Sequence, residues 1–187
     1  MITVVNHITL DGVMQSPAPE EGFEHAGWAA EYADEVLGEY MGRRMAESGG
    51  GAMLFGRRTF EHMEAGWRNA SRDSQFTRPM NEGRKYVASR TLTEDPDWNN
   101  SVLLRGEVVD TVRELDENVT ILGSGQVCRA LFEADLIDTW LLTINPVVLG
   151  QGLRLFPEGV PFAKLKLVES VPTTTGVLIA RYERSER

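Results

Sequence analysis

The chain has 187 residues, 42% of them apolar and 25% charged, about the size and mix of one globular domain with no composition shift that would mark a linker. A formal net charge of −9 argues against broad contact with nucleic acid or an acidic membrane, and no apolar run approaches the roughly 20 residues needed to cross a bilayer. A single cysteine excludes an internal disulfide, which fits a reducing, cytoplasmic setting, and with only three histidines it offers no metal site.

Met1 to Val5 has neither the basic region nor the cleavage site of a signal peptide and reads as the start of a first strand, buried over 4–10 and ended by the turn pair Asp11-Gly12. Residues 13–26 carry two prolines and little periodicity, which predicts a long loop of the kind that often serves function. Helical spacing runs from Trp28 to Ala46 through Tyr32, Val36, Tyr40 and Met41 and stops at Gly49-Gly50-Gly51. A short strand over 52–55 ends at Gly56, and Arg57-Arg58-Thr59-Phe60 opens a helical turn. Residues 66–83 are polar and irregular. Strands are expected over 85–88, closed by Ser89-Arg90, and over 102–104, with helical spacing over 108–115.

A strand over 119–122 then meets Gly123-Ser124-Gly125, and a helix follows over 126–134. Another buried strand, 139–145, ends at Pro146, and a loop with Gly150 and Gly152 leads back to Leu155-Phe156. The last third reads as an antiparallel hairpin, 165–171 and 176–182, joined through Pro172-Thr173-Thr174-Thr175. Strands alternating with helices and closed by a hairpin predict one α/β sandwich domain over 1–187, with a mostly parallel sheet and an antiparallel edge.

Three strand ends deliver glycine, hydroxyl or arginine groups to the carboxyl edge of that sheet: Gly56-Arg57-Arg58-Thr59, Ser89-Arg90 and Gly123-Ser124-Gly125-Gln126. Ligands of open α/β sheets sit outside the carboxyl ends of strands. Helix starts offer free N–H groups and a positive dipole end, and arginine forks match phosphate oxygens. Two such turns and several arginines suit a pyrophosphate plus a further monophosphate, as in NADPH. The bland alternatives stand beside this: a tight turn with a Ser cap, and arginines that are solvated surface charges. Nor is the spacing a Rossmann fingerprint, because Cys128 stands where a third glycine would be. Asp11 is either a turn residue or part of a substrate site, and Trp28 either a core anchor or a stacking surface. His7 reads as a strand residue, His25 and His62 as surface residues, and Cys128 as a small buried hydrophobe.

In order, Thr9-Leu10-Asp11-Gly12, Leu54-Phe55-Gly56-Arg57-Arg58-Thr59, Lys85-Tyr86-Val87-Ala88-Ser89-Arg90, Ile121-Leu122-Gly123-Ser124-Gly125 and Asn145-Pro146-Val147-Val148-Leu149-Gly150-Gln151-Gly152-Leu153-Arg154-Leu155-Phe156 resemble the dihydrofolate reductase-like superfamily. Within it the chain is most similar to the reductase domain of the bifunctional riboflavin-biosynthesis deaminase–reductase and its stand-alone relatives. The resemblance covers the whole chain and implies a three-layer α/β/α sandwich, NADPH as cofactor and a homodimer. It places Gly56, Arg57, Arg58 and Thr59 on one side of the phosphates and Gly123, Ser124, Gly125 and Gln126 on the other, with Ser89 and Arg90 near the 2′-phosphate. Thr9, Asp11 and Trp28 fall near the substrate, and either water or Asp11 supplies a proton. The implied reaction is hydride transfer to a C=N or C=O carbon of a small heterocyclic (pyrimidine- or pteridine-like) or carbonyl substrate. The acidic loop with Glu20, Glu21 and Glu24 sits awkwardly with a phosphorylated substrate. Neither Glu31 nor Asp34 aligns securely with the carboxylate that dihydrofolate reductases use. Two other readings stay open: a nucleotide-binding protein without turnover, and a reductase that uses a different nucleotide.

Overall fold

The computed structural model describes residues 1–47 and 51–185. Eight strands form one sheet: β1 (Ile2–Thr9), β2 (Ala52–Gly56), β3 (Lys85–Ala88), β4 (Ser101–Leu104), β5 (Val119–Leu122), β6 (Thr139–Asn145), β7 (Leu165–Pro172) and β8 (Leu178–Arg184). Their spatial order is β4-β3-β2-β5-β1-β6-β8-β7. The first six strands run parallel, and the β7–β8 hairpin adds on antiparallel through β8 against β6. Among the described residues the α-helices are α1 (Glu35–Glu47), α2 (Arg57–Trp67), α3 (Thr77–Glu82), α4 (Val108–Arg113) and α5 (Gly125–Glu133).

Apolar side chains explain the layering. Leu37 and Tyr40 of α1 pack with Leu141, Ile179 and Val5, and Phe60 of α2 and Met80 of α3 pack with Met53, Phe55 and Val87. On the opposite face Val112 of α4 and Val127, Cys128 and Leu131 of α5 cover Val4, Ile8, Leu54 and Ile121. The strands alternate between these two buried layers, so the central ones read as continuous apolar runs. Phe132, Trp140 and Phe156 close one end of the second layer with ring centroids 5.0 to 5.8 Å apart.

Two expectations change. The helix expected from Trp28 begins only at Glu35. A 3-10 turn (Ala30–Tyr32) precedes it and Ala33 is extended. Asp34 sets the new start by accepting the Leu37 N–H at 2.8 Å. The polar stretch 66–83 contains α3, held by Asn81, whose amide reaches the Trp67 and Thr77 carbonyls and accepts the Trp98 indole N–H at 2.7 Å. Gly49 and Gly50, expected to end α1, lie outside the described residues.

Lys85 is fully buried at the start of β3. Its ammonium donates to the Met80, Asn81 and Gly83 carbonyls at 3.0, 3.3 and 2.7 Å and lies 4.5 Å from the Trp98 ring centroid. It therefore satisfies the last carbonyls of α3, which no backbone N–H reaches.

Candidate functional site

The topology fixes where a ligand can sit. α1 and α2, after β1 and β2, lie on one face, whereas α5, after β5, lies on the other. Because β5 is inserted between β2 and β1, connections diverge on both sides of its carboxyl end. Two crevices result, and such divergence points are where open α/β sheets take ligands.

The β2–β5 crevice joins two of the expected phosphate turns. Gly123 has φ +61°, and a Cβ there would lie 3.0 Å from the Thr59 methyl, so both backbone and space favour glycine. Ser124 follows in the left-handed region at φ 60°. Its hydroxyl does not cap α5. It accepts the Gly56 N–H at 2.7 Å and donates to the Leu122 carbonyl at 3.3 Å, stapling the end of β2 to the end of β5. The Ser-cap alternative is thereby replaced by a bridge between turns. Neither α2 nor α5 has a side-chain cap, so both helix starts keep N–H groups and positive dipole ends at this crevice. Gln126 lies exposed on the first turn of α5. Cys128, one turn further in, is buried, which pushes its thiol up to about 12 and leaves it an inert packing residue, as expected.

The arginines have partners. Arg57 donates to Glu61 at 2.7 Å and to the Thr91 hydroxyl at 2.7 Å, tying α2 to the turn after β3. In that turn the Ser89 hydroxyl accepts the Thr91 and Leu92 N–H groups at 3.2 and 3.1 Å. Arg58 pairs with Glu20 of the 13–30 loop, and the other Glu20 oxygen accepts the Ser16 hydroxyl at 2.9 Å. Arg90 has a 91% exposed side chain and lies 3.8 Å from Glu107. Glu20, Ser16 and Thr91 escape sequence reasoning because their contacts with the arginines or with one another depend on loop paths, which no local pattern announces.

The β5–β1 crevice is rimmed by the 9–16 segment, whose Met14 sulfur would lie 3.2 Å from a Cβ at Gly125. Here the residues expected at a substrate have other work. Thr9 is 1% exposed; its hydroxyl donates to Asp11 at 2.6 Å and accepts the Val13 N–H at 3.0 Å. Asp11 also accepts the Leu149 and Gly150 N–H groups at 3.2 and 2.9 Å, and Arg154 stands 3.6 Å from its carboxylate. The Thr9 hydroxyl first, and those backbone N–H groups next, hold the Asp11 carboxyl at about 2. A group so acidic is ionised at neutral pH and has no proton to give. Asp11 thereby clamps the first loop to the 145–156 segment. Trp28 is 7% exposed, and its indole N–H donates to the Gln15 carbonyl at 2.7 Å. It anchors the fold of the 13–30 loop from within. That clamp had no local signal either, since its partners lie 138 and 139 residues away.

A family model described as the RibD C-terminal domain matches residues 1–179, and the chain belongs to that family. The Bacillus subtilis (strain 168) protein YyaP, itself uncharacterised, is 26% identical over 137 residues, covering 67% of this chain and 70% of that protein. Among solved structures, a putative riboflavin biosynthesis protein from Shewanella sp. PV-4 superposes with a TM-score of 0.65 at 20% identity over 99% of both chains. Dihydrofolate reductase from Enterococcus faecalis, complexed with NADP(H), superposes at 0.61 with 13% identity over 100% of this chain and 97% of that one. At these identities the likenesses establish a shared dihydrofolate reductase-like fold. No helix among the described residues is long and apolar enough to cross a membrane.

Proposed function

We propose that this member of the RibD C-terminal domain family is an NADPH-dependent reductase of a small heterocyclic or carbonyl substrate. The observation that carries the reading is the β2–β5 crevice, where two uncapped helix starts meet across the Gly56–Ser124 bridge. The free N–H groups of α2 and α5 would take the pyrophosphate there, with Arg57 and Arg58 beside it. Ser89 and Arg90, one strand further out, would face a 2′-phosphate. NADPH, when bound, supplies the hydride. This chain's part is to orient it and to exclude water from the β5–β1 crevice, so rate enhancement comes mostly from proximity. With Asp11 ionised and clamped, the proton comes from water.

A phosphorylated substrate fits poorly, since the candidate arginines serve the cofactor phosphates in this reading and the 13–30 loop beside them is acidic at Glu20, Glu21 and Glu24. The reading includes a homodimer, for which Val148 and Leu153, 69% and 62% exposed on the 145–156 segment, are suitable apolar material.

The test is titration of the purified protein with NADPH, NADH and FMN, following nicotinamide fluorescence and thermal stabilisation. Micromolar NADPH binding well above that of NADH supports the reading. A preference for NADH or FMN moves the protein to another nucleotide, and no binding leaves the glycine turns purely structural. Binding without turnover on any carbonyl or heterocycle panel would favour a nucleotide sensor.

A further inference from the structure

The turn after β5 is pinned on both sides. Toward β1 the strands stay in register as far as Leu122 beside Val5, and the Gly123 N–H then donates to the Val5 carbonyl at 3.4 Å. Toward β2 the pairing stops sooner. β2 and β5 are in register only to Leu54 and Ile121, whereas β2 stays paired with β3 as far as Gly56 and Ala88. Past Leu54 the β2–β5 crevice opens, and the Ser124 hydroxyl spans it to the Gly56 N–H at 2.7 Å.

A serine at a helix start ordinarily turns its oxygen back onto the first turn of that helix. Ser124 does half of this. Its carbonyl accepts the Cys128 N–H at 3.0 Å, as the first bond of α5, but its side chain makes no cap. Its backbone lies at φ 60° and ψ 62°, a left-handed conformation that is unfavourable for any residue but glycine. The hydroxyl is committed on both counts, accepting from Gly56 and donating to the Leu122 carbonyl at 3.3 Å. A hydroxyl has one proton, so none is left for a phosphate oxygen. A strained residue whose side chain reaches across a crevice, at a place where glycine would be unstrained, has the character of a spacer.

Building on the reductase reading, we propose that Ser124 is a positioning residue. Its hydroxyl sets the separation of the α2 and α5 starts, and with it the seat of a dinucleotide pyrophosphate, without touching a phosphate itself. The N–H groups of two helix starts serve one diphosphate only at a fixed spacing, because each charge-assisted bond is short and directional. One hydroxyl, bridging the strands where their pairing has ended, holds that spacing.

The test compares Ser124→Gly with the parent. Glycine relieves the left-handed strain while it removes the bridge, two opposed effects on stability, so the melting temperature should stay within about 3 °C. NADPH and NADH should both weaken by the same factor, about five- to tenfold. Adenosine 2′-monophosphate, which has no pyrophosphate, should bind as it does to the parent. In amide exchange the Gly56 N–H of the parent should stay protected with and without NADPH, and should lose that protection in Ser124→Gly. A loss that falls equally on adenosine 2′-monophosphate would overturn the assignment. So would a parent Gly56 amide that becomes unprotected when NADPH binds, since the hydroxyl would then have moved to the phosphate. If the parent binds NADPH and Ser124→Gly matches it, this assignment alone fails. If the parent binds neither nicotinamide cofactor, the reductase reading fails and this assignment with it.

Discussion

Arg58 and Glu20 form an ion pair that fastens the 13–30 loop to the first turn of α2. The arginine is thus held by a carboxylate at the edge where a cofactor phosphate would otherwise engage it. On the proposed reading the two anions would compete for one guanidinium, which would couple cofactor binding to loop attachment.

Glu20→Gln removes the competitor. Because an exposed ion pair contributes up to about 1 kcal/mol, NADPH should bind about two- to fivefold more tightly, and limited proteolysis within 17–26 should speed up in the free protein. Fluorescence titration and timed digestion measure both. Unchanged affinity would mean that Arg58 does not meet the phosphate.

Arg90→Ala separates the two nicotinamide cofactors. With a 91% exposed side chain, Arg90 contributes little to the fold, so the melting temperature should hold. Loss of a charge-assisted phosphate contact, about 1.5–3 kcal/mol, should weaken NADPH at least tenfold and leave NADH where it was. Equal losses for both would remove Arg90 from the 2′-phosphate.

Asp11 gives a pH dependence with a definite sign. Its folded-state value is depressed from 3.8 to about 2, so its contribution to stability is fully present above the unfolded value and is lost as pH falls between those limits. Thermal unfolding from pH 5 to pH 2 should fall less steeply for Asp11→Asn than for the parent. At neutral pH the variant should also loosen the 147–154 segment, visible as faster amide exchange at Leu149 and Gly150.

Lys85→Met leaves the Met80 and Gly83 carbonyls without their donor in a buried place, while the Asn81 carbonyl keeps only the Asn99 amide. Unpaired buried groups cost about 1–3 kcal/mol each, tempered by water that enters, so a loss of about 2–4 kcal/mol is expected in urea denaturation. NADPH affinity should not change, since Lys85 begins its strand at the edge opposite the crevices.

The elements that read most clearly in the sequence were those whose signals are local. β3, β5 and β6 have the bounds read from the sequence, because they are largely buried around apolar centres and turn residues follow them. The glycine turn at 123–125 was legible for the same reason. α1 was misplaced at its start because Trp28 and Tyr32 continue the helical stripe, whereas Asp34 breaks it through a cap that also depends on Thr174, 140 residues on. α3 was hidden by polar residues whose order comes from the Asn81 amide and Lys85, one a side-chain hub and the other a buried charge. In the site, the glycine turns could be placed and the carboxylate contacts could not. Asp11 gains its clamping contacts only when the 145–156 segment is brought against it, and sequence order says nothing of that approach.

The place of β1 bears on how the molecule is made. β1 is flanked by β5 and β6, so one of its hydrogen-bonding edges stays open until residue 122 has been synthesised and the other until residue 145. Non-local pairing of this kind is slow and exposes strand edges while it waits. At about 5–20 residues per second, those edges stay unpaired for several seconds, and the nascent N-terminal third is the part a chaperone would have reason to hold.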